Sequence, residues 1–442
     1  MRFFLRDKKL RVALGGVIVV ALMGGGIYSF FLHTPTLEYL TTQENDLYVR
    51  FVMEAYDAIE QNYWIKPGDF AKFNTPELPQ LFQLSVQKIG SSAILATSTR
   101  SGTAVLLENA LGDATSTEAK RQFVLQALSL VLYNLPPIGR DSLLSKQEET
   151  AFRQNVANIN PENDLYKNLG LKKGATADEV NQAYEQKSVE LKNATSSEAK
   201  AELPKITYAR KVLTNAAQKE LYDTAQIEPS VFQHILGNTL YLGFNKISPT
   251  TLREFAIAVD SASTTQYLDS MILDMRGNVG GSLDFVQAFM GLFLGSNQYV
   301  FDLYHQGDNQ AQRTTLLQFQ ELSRYREIAV LTDNMTQSTA ELITAILKRF
   351  RIARVVGTTT RGWGSIENTY PIKTIIDPST SYSLLLVNSL TLRDDQQPIE
   401  QNGVIPDLDT SKSGWQKKLY NYFTSASIIK ALKDNATSAP LR

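Results

Sequence analysis

No cysteine occurs in the chain. That excludes a thiol nucleophile, thiolate zinc sites and disulfide bonds. Histidine is almost as scarce. His33, His234 and His305 stand far apart, none at a metal-ligand spacing, and all three read as structural or incidental. Charge of either sign is not in excess: the net value over 442 residues is -1, so there is no electrostatic case for a nucleic-acid partner. One long uncharged run stands out. Residues 12–32 are 21 positions without a charge, and residues 1–11 before them hold five Lys/Arg and one Asp. The run is long enough to span a bilayer core. No small-x-small cleavage site follows, since the next residues are His33-Thr34-Pro35-Thr36. This pattern predicts a signal anchor rather than a cleaved signal peptide. The basic flank stays in the cytoplasm, and the chain after His33 lies outside it.

What is present is organised around residues 327–364, EIAVLTDNMTQSTAELITAILKRFRIARVVGTTTRGWG. An apolar run, 328–331, leads into a polar turn, 332–337. A helical pattern follows, with Leu342, Ile343, Ile346, Leu347 and Phe350 on one face. A second apolar run, 352–356, ends at Gly357. The order strand, turn, helix, strand is that of an α/β unit. Ser338 sits where the helix begins. With Glu341 three residues on, it fits a capping box, in which each side chain satisfies the other residue's backbone N–H. It also fits a nucleophile on a tight strand-to-helix turn, where the next N–H, that of Thr339, stabilises an oxyanion.

Three motifs carry a resemblance. TQSTAEL around Ser338, MRGNVGG at 275–281 and GVIPDLD from Gly403 resemble, in order, motifs of the C-terminal processing peptidases, also called tail-specific proteases. The resemblance covers roughly residues 237–409. It implies an α/β core of the layered type shared with the ClpP and crotonase proteins. It implies Ser338 as nucleophile, with oxyanion N–H groups from Thr339 and from Gly280 or Gly281. No cofactor is implied. The partners implied are polypeptide substrate or client tails, and a homo-oligomer is compatible with it.

The match breaks at the general base. The family places a lysine 25 residues after the serine, in a Phe-Gly-Lys-Gly turn. Here the aligned residues are Arg361-Gly362-Trp363-Gly364, so Trp363 occupies the lysine position. An indole donates a hydrogen bond but takes no proton. Four residues further, Glu367 occupies the position of the family's orienting glutamine. Two readings follow. One is a degenerate homologue that binds or scaffolds exported polypeptides. The other is an active serine endopeptidase with a non-standard base, for which Glu367 would have to reach Ser338.

The rest of the chain divides as follows. Residues 46–160 read as a helical domain, with helices over 46–63, 78–106 and 117–132. A second capping box, Ser145 with Glu148, opens a helix through Phe152. Residues 161–226 resemble a J-domain, where the family usually carries a PDZ domain. Tyr166, Leu169, Tyr184, Val212, Leu213 and Tyr222 fill its apolar positions. The J-domain's His-Pro-Asp loop aligns with Lys192-Asn193-Ala194, which predicts no stimulation of a heat-shock ATPase. The core, 227–409, carries strands over 238–247, 271–273, 299–304, 369–376 and 382–392, and helices over 250–262 and 283–294. Residues 410–442 form a helical patch with Trp415, Leu419 and Tyr422, then a Ser/Asn/Ala-rich end expected to be mobile. A reporter that is active only in the cytoplasm, fused after Arg442, is expected to stay silent; a bright signal would reverse the topology read from the basic flank.

Overall fold

The computed structural model describes residues 44–442 apart from 113, 194–195, 265–266 and 394–396. The expected cytoplasmic tail and signal anchor, residues 1–11 and 12–32, lie outside the described residues. Among the described residues, no helix is long and apolar enough to cross a membrane. The strands, in chain order, are β1 (Ser142–Ser145), β2 (Val231–Leu236), β3 (Thr239–Phe244), β4 (Ser270–Asp274), β5 (Tyr299–His305), β6 (Asp308–Arg313), β7 (Glu327–Thr332), β8 (Arg354–Gly357), β9 (Ser365–Ile372), β10 (Tyr382–Leu392) and β11 (Leu408–Asp409).

The chain forms two compact units. The first gathers residues 44–151, 297–314 and 362–404. The expected division into consecutive domains therefore differs from the folded one: two stretches of the 227–409 segment belong with the N-terminal helices. Asp46 caps the helix Leu47–Asn62 by accepting the N–H of Tyr48 at 2.8 Å. That helix is buried on nearly all sides, with Val49, Phe51, Val52, Met53 and Ile59 in one core with Phe82, Leu106, Leu128 and the sheet residues Tyr370, Leu384 and Leu386. The expected helix over 78–106 is two helices, Leu78–Lys88 and Arg100–Leu111. Gly90 takes φ +105, and Thr99 starts the second helix by accepting the Gly102 N–H, so the chain breaks between them. The Ser145–Glu148 box forms as expected: Glu148 accepts the Ser145 N–H at 2.8 Å. Strand β10 is the hub of this unit's sheet and pairs antiparallel with β1, β5 and β9.

The second unit holds residues 152–296, 315–361 and 405–442. Residues 164–225 fold as the expected helical insert. Leu165, Tyr166, Val180, Ile206, Val212 and Leu213 make its core, and Asp164 caps its first turn. The sheet beyond it runs β11-β8-β7-β4-β3-β2, with β3, β4, β7 and β8 parallel and β2 antiparallel at the edge. Steps from β3 to β4 to β7 to β8 all go the same way. Right-handed crossovers that step one way put their helices on one face. Those helices are Thr251–Ser263, Asp284–Leu294 and Thr339–Arg349, and Phe255 meets Phe289 with ring centroids 4.9 Å apart.

The other face needs a separate cover, and the C-terminal segment supplies it. Tyr241, Ile272, Ala329, Leu331 and Val356 are buried against Trp415, Leu419, Ile428 and Leu432. The end expected to be mobile is thus the helix Ala426–Asn435, because its apolar residues recur at helical spacing and close the sheet. Layered α/β architecture is as expected, and it places the ends of β4 and β7, which are neighbours, side by side.

Candidate active site

In open parallel sheets the crevice beyond the strands' C-terminal ends is the usual place for a site. Here two turns leave β4 and β7 together and are laced to each other. Asp333 follows β7. Its Oδ1 accepts the N–H of Gly277 from the neighbouring turn at 2.9 Å and, from its own turn, the N–H groups of Met335 and Thr336 at 3.0 and 2.9 Å. The Thr336 hydroxyl donates to Met275 O at 2.9 Å, and the Gln337 N–H to Asn278 O at 2.9 Å. The Thr339 hydroxyl donates to Gly281 O at 2.8 Å.

Ser338 is held between these contacts at φ 57, ψ -131. An ordinary N-cap residue sits in the β region. This conformation is one that side-chain-bearing residues seldom adopt, and it costs of order 1–3 kcal/mol. Glu341, fully buried, holds it there. Its Oε2 accepts the Ser338 N–H at 2.9 Å, and its Oε1 accepts the Thr360 hydroxyl. Ser338 and Glu341 stand in the capping-box arrangement. The side chain is partly exposed. A serine at positive φ on a sharp strand-to-helix turn is the backbone geometry of a nucleophile elbow.

The glycine turn presses against it. Gly280 has φ +84, and a Cβ built there would lie 2.7 Å from Ser338 Cβ and 3.0 Å from Thr339 N. The Gly280 N–H donates to Asn278 Oδ1 at 2.8 Å. Of the two glycines offered as oxyanion donors, Gly280 is therefore already engaged inside its own turn, which leaves Gly281 beside Thr339.

Trp363 and Glu367 lie in the other unit and are described by themselves. The Arg140 guanidinium lies over the Trp363 ring, 3.3 Å from its centroid, and pairs with Glu400 at 2.8 Å. Stacking of this kind contributes ~0.5–2 kcal/mol. Trp363 Nε1 donates to Glu367 Oε1 at 3.3 Å, and the Ser365 hydroxyl donates to the same oxygen at 2.6 Å. Burial pushes the Glu367 carboxyl above its ordinary range, against the two hydrogen bonds that pull it down. Asp141, beside Arg140 in sequence, is raised further, again by burial. The indole is thus part of a packed ionic cluster rather than a vacancy filler.

Residues 238–410 match Peptidase family S41, and residues 164–223 match the DnaJ domain. The chain carries a peptidase family S41 domain preceded by a DnaJ domain. Over 194 residues it is 26% identical to a probable CtpA-like serine protease of Staphylococcus epidermidis, covering 44% of this chain and 38% of that protein. Over 146 residues it is 27% identical to the carboxy-terminal processing protease CtpB of Bacillus subtilis, covering 33% of this chain and 29% of that one. Among solved structures, the photosystem II D1 C-terminal processing protease is similar with a TM-score of 0.43 and 12% identity, over 76% of this chain and 93% of that chain. The chain spans well under half the length of these curated relatives.

Within the S41 domain, Ser338, Thr339 and both glycines were legible in the sequence, and the fold brings them together. It missed Asp333, Asn278 and Thr360, which hold them. Asp333 was detectable in principle, because an Asp three residues before a Thr in a turn is an Asx-turn signal. Arg140 gave no sequence signal; only the fold sets it over Trp363. The close approach at Gly280 yields a test. Gly280→Ala and Gly295→Ala start from the same φ of +84, but nothing lies within 4 Å of a Cβ at Gly295. The two positions share φ, and a Cβ meets Ser338 at Gly280 but open space at Gly295. Gly280→Ala is expected to be the less stable by ~1–3 kcal/mol in urea unfolding; equal losses would mean the two turns are not in contact.

Proposed function

We propose that this protein is a membrane-anchored, extracytoplasmic S41 homologue that binds the tails of exported polypeptides without cleaving them. The observation that carries the reading is the state of the base position. Trp363 stands there, stacked under Arg140 and bonded through Nε1 to Glu367. An indole accepts no proton, and a serine hydroxyl without a base is a poor nucleophile. General-base assistance is worth ~10²–10⁴-fold, so its loss alone moves hydrolysis toward background. The anchor rests on the uncharged run 12–32 and its basic flank. Polypeptide clients rest on the S41 match and on relatives named as proteases.

A second reading, an active endopeptidase, is favoured by one observation: the chain maintains Ser338 in a strained turn that a simple helix cap does not need. In that reading Glu367 is the base, and burial, which raises its pKa, makes the carboxylate a better proton acceptor.

The two readings separate by substitution. Trp363→Lys supplies the missing amine, but Glu367 would pair with the new ammonium and hold it protonated, the wrong state for a base. Trp363→Lys combined with Glu367→Gln removes that pairing. Hydrolysis of a peptide with an apolar C-terminus is expected at background for the unmodified protein, slightly above it for the single change and clearly above it for the double. If the unmodified protein cleaves the peptide and Glu367→Gln abolishes cleavage, the active reading stands and ours falls.

A further inference from the structure

Strand β2 ends the sheet of the second unit, and among the described residues only β3 pairs with it. The two strands join through the tight turn Gly237-Asn238, with Leu236 opposite Thr239. In such a hairpin, hydrogen-bonded pairs alternate with non-bonded ones. Leu236, His234 and Phe232 therefore bond to β3, while Val231, Gln233 and Ile235 aim their backbone groups outward. The Val231 N–H is taken by Glu254 Oε2 at 2.9 Å. Gln233 and Ile235 face a groove of 440 Å³. Its far wall is the DnaJ domain, through Lys211, Gln218 and Leu221, and its floor is reached by Phe232, His234 and Ile257.

An open strand edge attracts another chain, and proteins ordinarily block it with charge, proline or a covering element. This edge has none of these at Gln233 and Ile235. Two polar groups in the groove also lack partners. His234 Nε2 is buried without a hydrogen bond. The Lys211 ammonium lies 5.0 Å over the Phe232 ring and makes no ion pair among the described residues. Burial lowers the pKa of Lys211, and burial with the nearby lysine lowers that of His234. The groove's carboxylate, Glu254, is turned away from it: it accepts the Ser230 and Val231 N–H groups at 2.7 and 2.9 Å and the Thr250 hydroxyl at 2.6 Å. A cation without an anion beside an open strand edge describes a site short of one ligand.

We propose that β2 takes an extended polypeptide as an added antiparallel strand, with the guest's C-terminal carboxylate at Lys211. The direction follows from the register. Lys211 lies over Phe232, at the start of β2, and only an antiparallel guest ends there. Backbone pairing to Gln233 and Ile235 supplies affinity for any extended chain, and the carboxylate contact selects chain ends. The occupant's class rests on the reading of the chain as a polypeptide-binding S41 homologue; the site itself is β2 with the DnaJ domain, three strands along the sheet from β7, which carries Ser338 at its end.

The test uses the full chain and short fluorescent peptides with an apolar C-terminus, as the free acid and as the amide. Anisotropy is expected to show the acid binding roughly tenfold more tightly than the amide. Lys211→Met should erase that preference while leaving the weaker, backbone-driven binding. Ile235→Pro removes an outward N–H that β3 does not use, and should abolish binding of both. Hydrogen exchange on the complex should show new protection at Gln233 and Ile235. Equal binding of acid and amide, a preference that survives Lys211→Met, protection elsewhere, or no binding at all would each overturn the proposal. Cleavage of the bound peptide would instead overturn the reading of a silent S41 domain and leave the groove standing.

Discussion

A single buried carboxylate sets the geometry of this fold's central turn. Glu341 binds the Ser338 N–H and the Thr360 hydroxyl at once, and has no exposure to water. A buried carboxylate is stable only where its hydrogen bonds are made. Satisfying it fixes the start of the helix Thr339–Arg349, and the turn before it then has one course. That course drives Ser338 into positive φ and against Gly280. Asp333 does the same for the two turns as a pair, since one oxygen collects N–H donors from both. The strain at Ser338 is over-determined by these contacts, which is the condition under which such backbone persists.

The two units tell different chemical stories. In one, the turns after β4 and β7 hold Ser338, Thr339, Gly280 and Gly281 together. In the other, Arg140, Trp363, Glu367 and Glu400 form a cluster in which every group leans on its neighbour. A lysine base must shed its proton at working pH, and it does so when desolvated and unpaired. Carboxylates at this density work against that. Elements that agree across levels of structure mark a fold, and the level at which they disagree marks function or its loss.

How much of this was legible in the sequence depends on what carried the signal. Residues 327–357 were readable because two short, unbroken apolar runs flank a polar turn and a stretch of helical period. The strand β2, VFQHIL, was not foreseen, because Gln233 and His234 break its apolar run. Nor was β6, DNQAQR, whose residues are nearly all exposed and which exists by pairing with β5. The split of 78–106 overrode local helical pattern, although Gly90 and the Thr99 cap announced it. The C-terminal helix was misjudged on its Ser, Asn and Ala content. Its apolar stripe, Ile428, Ile429 and Leu432, was the better guide, since a sheet with all its crossovers on one face needs a cover on the other. Arg140 over Trp363 is tertiary in origin, so no local pattern could reveal it.

Binding and cleavage are separated by whether Ser338 is nucleophilic in the protein as it stands. A serine-reactive fluorophosphonate asks this directly, with Ser338→Ala as the control for specificity. We expect labelling of the unmodified protein to be indistinguishable from that of Ser338→Ala. Strong labelling that disappears in Ser338→Ala would contradict the account, because it would mean that a base reaches Ser338 despite the indole at position 363.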